Sequence, residues 1–189
     1  VTVCGKGYTI GEVLDYVDYH NLGTEAENAL YSFDSNPDAV VLNIGTNDGA
    51  SWNNTYRPIV PSEFVAGLKS LIKKIRSKYP EKPIFYVYGM MAIGDYAKSS
   101  IELALAELQT EGVTDIYFIP VSCTVEDGEI SYAAHPNALG HSRVSKHLIA
   151  KMAEVLGWDT ADMQNNLSID AIPEQIYDGT PKTPELTVK

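Results

Sequence analysis

Hydrophobic positions along the chain fall into short continuous runs separated by amphipathic stretches. Ala39-Val40-Val41-Leu42-Asn43-Ile44 is rich in β-branched residues, opens after Asn36-Pro37-Asp38 and closes at Gly45. Such a run predicts a parallel strand covered on both faces. Ile84-Phe85-Tyr86-Val87-Tyr88 and Ile116-Tyr117-Phe118-Ile119 repeat the pattern, and Val1-Thr2-Val3-Cys4 reads as the end of one more strand. Between them, Phe64, Leu68, Leu71, Ile72 and Ile75 share one helical face, and Tyr79-Pro80 ends that run. Ile101, Leu105 and Leu108 predict a second helix stopped by Gly112. A third starts near Asn137 and passes Val144, Leu148, Ile149 and Met152 to reach Gly157-Trp158. A further helix is expected around Gly11 to Tyr19. Strands alternating with helices imply βαβ crossovers, hence an α/β fold in which helices flank a parallel sheet in three layers.

The pattern changes after Trp158. Residues 159–171 read as a polar linker, and Pro173, Pro181 and Pro184 with Gly179 forbid a helix beyond it. The 189 residues thus suit one domain, 1–158, and an appendage. Ile84 to Ile93, the longest apolar stretch, is broken by Gly89 and is too short to span a bilayer. The chain opens on Val-Thr-Val with no basic leader segment, so residue 1 is read as a truncation point.

Charge narrows the partners. The chain carries 25 Asp and Glu against 14 Lys and Arg, a net charge of −11. Nucleic-acid binding needs clustered cations to displace counterions, so that class is excluded and neutral glycans or small esters fit better. Cys4 and Cys123 lack metal-ligand spacing and read as two free thiols. The four His have no accompanying ligand set for zinc, and neither metal nor cofactor is expected. His141 and His147 read as packing or surface residues, and His20 has no interpretable context.

Ligands of open parallel sheets bind beyond the carboxyl ends of the strands. Gly5, Asn47, the Gly89-Met90 turn and the loop before His135 all follow expected strand ends, so this fold gathers them on one rim. The Asn47 amide can donate to a developing oxyanion, although Thr46-Asn47-Asp48-Gly49 also suits a plain turn. Gly5 and Gly7 allow close backbone approach, which makes a backbone N–H there a second oxyanion donor or simply part of a glycine turn. His135 is stiffened by Pro136 and followed by Asn137, a good N-cap, so its imidazole projects from a fixed junction as a candidate general base. Trp52 and Tyr132 offer flat surfaces for a sugar ring or belong partly to the core.

Gly45-Thr46-Asn47-Asp48 and His135-Pro136-Asn137 resemble the third and fifth blocks of the SGNH, or GDSL, hydrolases. Cys4-Gly5-Lys6-Gly7 resembles their second block, with Cys where Ser is usual. The wider pattern is most similar to the carbohydrate esterase family 2 acetyl esterases. Phe33-Asp34, Pro37-Asp38, Ile75-Arg76, Tyr79-Pro80, Gly89-Met90-Met91 and Leu156-Gly157-Trp158 carry that likeness over about residues 1–158. The resemblance implies a flavodoxin-like sheet and a serine esterase that deacetylates plant polysaccharide. In it Asn47 and the Gly5 amide form the oxyanion hole, and His135 is the base. The segment Ile172 to Pro181 resembles the opening of an immunoglobulin-like repeat of bacterial surface proteins, which implies a secreted or surface-attached modular protein.

Two departures from the family pattern stand out. Its Gly-Asp-Ser nucleophile block occurs nowhere in the 189 residues, so the first strand is expected upstream and this fragment is expected to be inactive. That strand would lie between Val1–Cys4 and Ala39–Ile44, and its loss leaves unpaired backbone groups on both neighbours. The second departure is Tyr132, which stands where many relatives place the acid that orients the histidine. A backbone carbonyl, as in a Ser-His dyad, or Asp127 or Glu129 must then hold the ring, and the dyad is preferred. Two other readings of function remain open, a non-catalytic glycan-binding module on an esterase fold and an SGNH lipase or thioesterase with another acyl substrate.

Overall fold

The computed structural model describes residues 9–18, 29–49, 60–92 and 96–159. Its elements run α1 (Ile10–Val13), β1 (Tyr16–Asp18), β2 (Ala29–Leu30), β3 (Val40–Leu42), α2 (Thr46–Gly49), α3 (Pro61–Lys78), β4 (Ile84–Tyr88), α4 (Lys98–Thr110), β5 (Ile116–Pro120) and α5 (Ala138–Leu156). The chain divides into two compact units, Val1–Leu148 and Ile149–Lys189. The expectations for Val1–Cys4 and for residues 172–189 lie outside the described residues, as does the linker beyond Asp159.

The three apolar runs form one parallel sheet in the order β3-β4-β5. Val40 is in register with Ile84, and Ile84 with Ile116, so the carboxyl ends of all three strands share one edge. Every residue of β4 is buried. Alternation across the pleat sends Ile84, Tyr86 and Tyr88 into a core with Val65, Leu68, Leu71, Ile72 and Ile75 of α3 and Ile101, Ala104 and Leu108 of α4. Fully burying one such aliphatic side chain stabilises the fold by roughly 1.5–3 kcal/mol. The opposite face carries Phe85 stacked on Tyr117, with ring centroids 5.3 Å apart.

Sequence chemistry explains the helix boundaries. Pro61 starts α3 with its φ already helical, Glu63 complements the positive end, and Arg76 and Lys78 complement the negative end. Lys69 bridges from α3 to Glu107 and Glu111 at 2.5 and 2.7 Å, pinning the solvent side of the α3–α4 pair. Both carboxylates are well exposed, so this pairing adds register more than stability. Arg76 donates to the carbonyls of Lys82 and Thr114 at 2.6 and 2.7 Å, tying together the loops that enter β4 and β5.

Two expectations are corrected. The helix expected over Gly11 to Tyr19 is a single turn, α1, followed by β1, which pairs antiparallel with β2. Thr9 and Glu12 form a capping box, but the aromatic and β-branched Tyr16-Val17 favour a strand. Asp15 is drawn to Lys74 of α3 at 2.7 Å, and one turn is far too short to propagate alone. The second correction concerns β3, which is not covered on both faces, since Val41 is 43% exposed. Among the described residues β3 is paired on one side only, with β4.

Candidate active site

The turn after β3 is built around Gly45, whose φ of +101° lies in a region that side-chain-bearing residues avoid. A Cβ there would meet the Tyr86 hydroxyl at 3.3 Å and the Phe64 ring at 3.4 Å. Tyr86 reaches up from β4 and donates its hydroxyl to the Ile44 carbonyl at 3.0 Å, fixing the exit of β3 from beneath. Burial pushes the tyrosine pKa far above its ordinary value, with the Asp48 carboxylate adding to the effect, so the hydroxyl stays protonated as a donor. Asn47 sits in α2, two residues past Gly45. It is exposed, and its side-chain amide makes no hydrogen bond among the described residues.

His135 is presented by a loop that folds back on itself. Ile130 bridges Pro136 in antiparallel fashion, and the Ser131 backbone N–H and hydroxyl both donate to the His135 carbonyl, at 2.8 and 3.1 Å. A 3₁₀ turn at Tyr132–Ala134 places Ala133 and Ala134 at φ +54° and +61°. Two successive left-handed non-glycine residues cost roughly 1–2 kcal/mol each and persist only where their surroundings hold them. Here the reversal brings the Tyr132 carbonyl to 3.2 Å from Nδ1 of His135. A carbonyl can only accept, so this hydrogen bond forms with the proton on Nδ1, the tautomer that leaves Nε2 as the acceptor.

The acids named as alternative partners for this ring are engaged elsewhere. Asp127 accepts from the Thr124 hydroxyl at 2.6 Å. Glu129, only 3% exposed, accepts from Arg143 Nε and NH2 and from the Thr124 N–H. Arg143 also donates to the Ser122 carbonyl. Asn137 caps α5 through Leu139 N–H at 2.9 Å and donates to the Gly128 carbonyl at 2.7 Å. A Cβ on Gly140 would lie 2.7 Å from the Glu129 carbonyl oxygen, so this glycine lets the loop rest on the first turn of α5. Sequence reading named Glu129 only as a possible partner of His135 and missed Arg143. Glu129 lies in the loop after β5 and Arg143 on α5, so no periodicity within a single element could have linked them.

The guanidinium of Arg143 holds the Glu129 carboxyl below the usual glutamate range, the Thr124 N–H adding to it. Because the folded value is depressed, the stabilisation is complete above the ordinary glutamate value of about 4.3 and is lost as pH falls through the lower folded value. Glu129→Gln should therefore lower the melting temperature at neutral pH, and the gap to the parent should narrow on acidification below about pH 4. Thermal unfolding followed by circular dichroism across that range checks both.

Contacts along the rim connect the two blocks. Asn43, just past β3, donates its amide to the Met90 sulfur at 3.1 Å, and Met90 lies just past β4. Ala92 then donates its N–H to the Ala134 carbonyl at 3.1 Å, next to His135. Asn47 and His135 are thus carried by neighbouring segments at the carboxyl edge of the sheet, although no hydrogen bond joins them. Tyr132 is 92% exposed, so its ring is a free surface and no part of the core. Gly5, Trp52 and His20 lie outside the described residues. His141 and His147 are exposed on α5. Cys123 is a free, buried thiol whose pKa is raised by burial, a packing residue with no sign of reactivity. No helix among the described residues is long and apolar enough to cross a membrane.

Residues 7–143 match the family model described as the GDSL-like Lipase/Acylhydrolase family. The chain is 30% identical over 127 residues to the cellulase/esterase CelE of Acetivibrio thermocellus, an alignment that covers 65% of this chain and 15% of that protein. Among solved structures it is similar to a family two carbohydrate esterase from Clostridium thermocellum in complex with cellohexaose. That match has a TM-score of 0.62 and 26% identity, and covers 71% of this chain and 41% of the other. The acetyl xylan esterase Est2A from Butyrivibrio proteoclasticus shares the fold at a TM-score of 0.59 and 21% identity, with 70% and 41% of the two chains covered. The chain therefore spans a small fraction of the curated relative's length and about two fifths of the solved relatives.

Proposed function

Since the chain belongs to the GDSL-like lipase/acylhydrolase family, we propose that it is part of a serine-type carbohydrate esterase that removes acetyl groups from plant polysaccharide. The serine is supplied by a segment upstream of Val1. His135 Nε2 takes the proton from that hydroxyl as it attacks the acetyl carbonyl. The Asn47 amide and the Gly5 N–H stabilise the oxyanion of the tetrahedral intermediate. Protonated His135 returns the proton to the departing sugar oxygen, and water then releases acetate from the acyl-serine by the same steps. The Tyr132 carbonyl does the orienting work of a triad acid, which makes the pair a dyad.

The observation that carries this reading is the hydrogen bond between His135 Nδ1 and the Tyr132 carbonyl, because it selects the tautomer a base requires. The exposed ring of Tyr132 suits a platform for a sugar, a role proposed for Trp52 as well on its residue type alone, and the similarity to CelE and to a cellohexaose-binding esterase supports a glycan substrate. In this reading the protein is bacterial, modular and secreted or surface-attached. Its catalytic domain ends near residue 158, a linker covers 159–171 and an immunoglobulin-like repeat begins at 172. Incubating acetylated xylan with the chain extended upstream through its serine block should release acetate. Retention on the polysaccharide without acetate release would favour the glycan-binding alternative.

A further inference from the structure

A cavity of about 250 Å³ opens at the carboxyl edge of the sheet, on the β4–β5 side, away from Asn47. Its walls include Tyr88 and Pro120 at the strand ends, Lys98 at the start of α4, Ser122, and Arg143 and His147 one turn apart on α5. No acidic side chain lines it, in a chain whose net charge is −11. Lys98 and His147 have no hydrogen bond or ion pair among the described residues, and the Ser122 hydroxyl is likewise unengaged there. Arg143 is held rigidly by Glu129 and the Ser122 carbonyl, so it is preorganised at little further entropic cost. Counting histidine as neutral, Lys98 and Arg143 bring two positive charges, and Glu129 behind Arg143 cancels one.

We propose that this cavity is a subsite for a singly charged carboxylate carried on a sugar ring, a uronate. One uncompensated positive charge matches a monoanion better than a phosphate dianion. The volume lies below the range of drug-sized pockets and suits a single ring. The carboxylate pairs with Lys98 and Nη1 of Arg143, the guanidinium nitrogen that Glu129 and the Ser122 carbonyl leave unengaged, while Ser122 and His147 serve ring hydroxyls and Pro120 gives apolar contact. The anion preference follows from the cavity alone; the sugar part rests on the proposed carbohydrate function, in which a uronate branch beside an acetylated residue would be read here.

The test is a titration of the isotopically labelled full chain, followed through its backbone amide signals, with D-glucuronate, D-glucose, acetate and inorganic phosphate as separate probes. Glucuronate should shift the amides of Lys98, Ser122 and His147 and bind more tightly than the other three. Lys98→Met should weaken it about tenfold while the spectrum stays dispersed, and Lys98→Arg should restore it. Equal affinity for glucose and glucuronate, or no response to either, overturns the proposal, as does unchanged affinity in Lys98→Met. Tighter binding of phosphate overturns the choice of a carboxylate, and equal binding of acetate overturns the sugar ring. His135→Ala should bind glucuronate as the parent does. Failure of ester hydrolysis by the upstream-extended chain with glucuronate still bound therefore counts against the esterase reading alone, and hydrolysis by that chain without glucuronate binding counts against this subsite alone.

Discussion

His135→Ala, introduced into the chain extended upstream through its serine block, should lower kcat for nitrophenyl acetate about a thousandfold, the scale of a lost general base. KM should change little, because the imidazole acts on the proton in flight and makes no ground-state contact with so small an ester. The fold should survive. His135 is exposed, and its carbonyl and backbone N–H, which hold the loop through Ser131 and Tyr132, are kept in the variant. A melting temperature equal to the parent's with activity removed is thus the expected pair of results. Steady-state kinetics and a thermal melt on the same sample read both, and unchanged hydrolysis would remove His135 from the mechanism.

Asn47→Ala should cost about a hundredfold in kcat, close to 3 kcal/mol of transition-state stabilisation, with kcat/KM falling in parallel. The amide makes no other hydrogen bond among the described residues, so its truncation leaves no buried group unsatisfied. The turn itself is set by Gly45 and by the Tyr86 hydroxyl on the Ile44 carbonyl, neither of which the substitution touches. If Asn47 served only as a turn former, the variant would lose stability and keep its rate. Loss of rate at constant stability is the outcome expected of an oxyanion donor.

How far this site could be read without coordinates depended on how local each cause was. β4 announced itself because burial on both faces leaves no polar position in the run, β5 through an unbroken apolar run of which only Ile119 is buried, and α3 through its apolar stripe and its proline start. Asn137 capped α5 as its position after Pro136 implied. The stretch after Gly11 was misread because tertiary pairing decided it. The Tyr31 N–H takes the Asp15 carbonyl and Lys74 takes the Gly11 carbonyl, both contacts from distant parts of the chain. Val41 was misread because a continuous apolar run records a strand's character and not which faces are covered. The orienting group of His135 could only be narrowed, since a backbone carbonyl leaves no mark on residue identity. Two left-handed alanines turned it into place.

The central claim is that the Asn47 amide and the His135 imidazole serve one reacting centre. A crystal structure of the upstream-extended chain after reaction with an organophosphate, which leaves a tetrahedral phosphoryl group on the serine, tests it directly. The account predicts a phosphoryl oxygen about 3 Å from Asn47 Nδ2 and the serine oxygen within hydrogen-bond reach of His135 Nε2. An adduct contacted by neither side chain, or the two on opposite sides of the molecule, would contradict it.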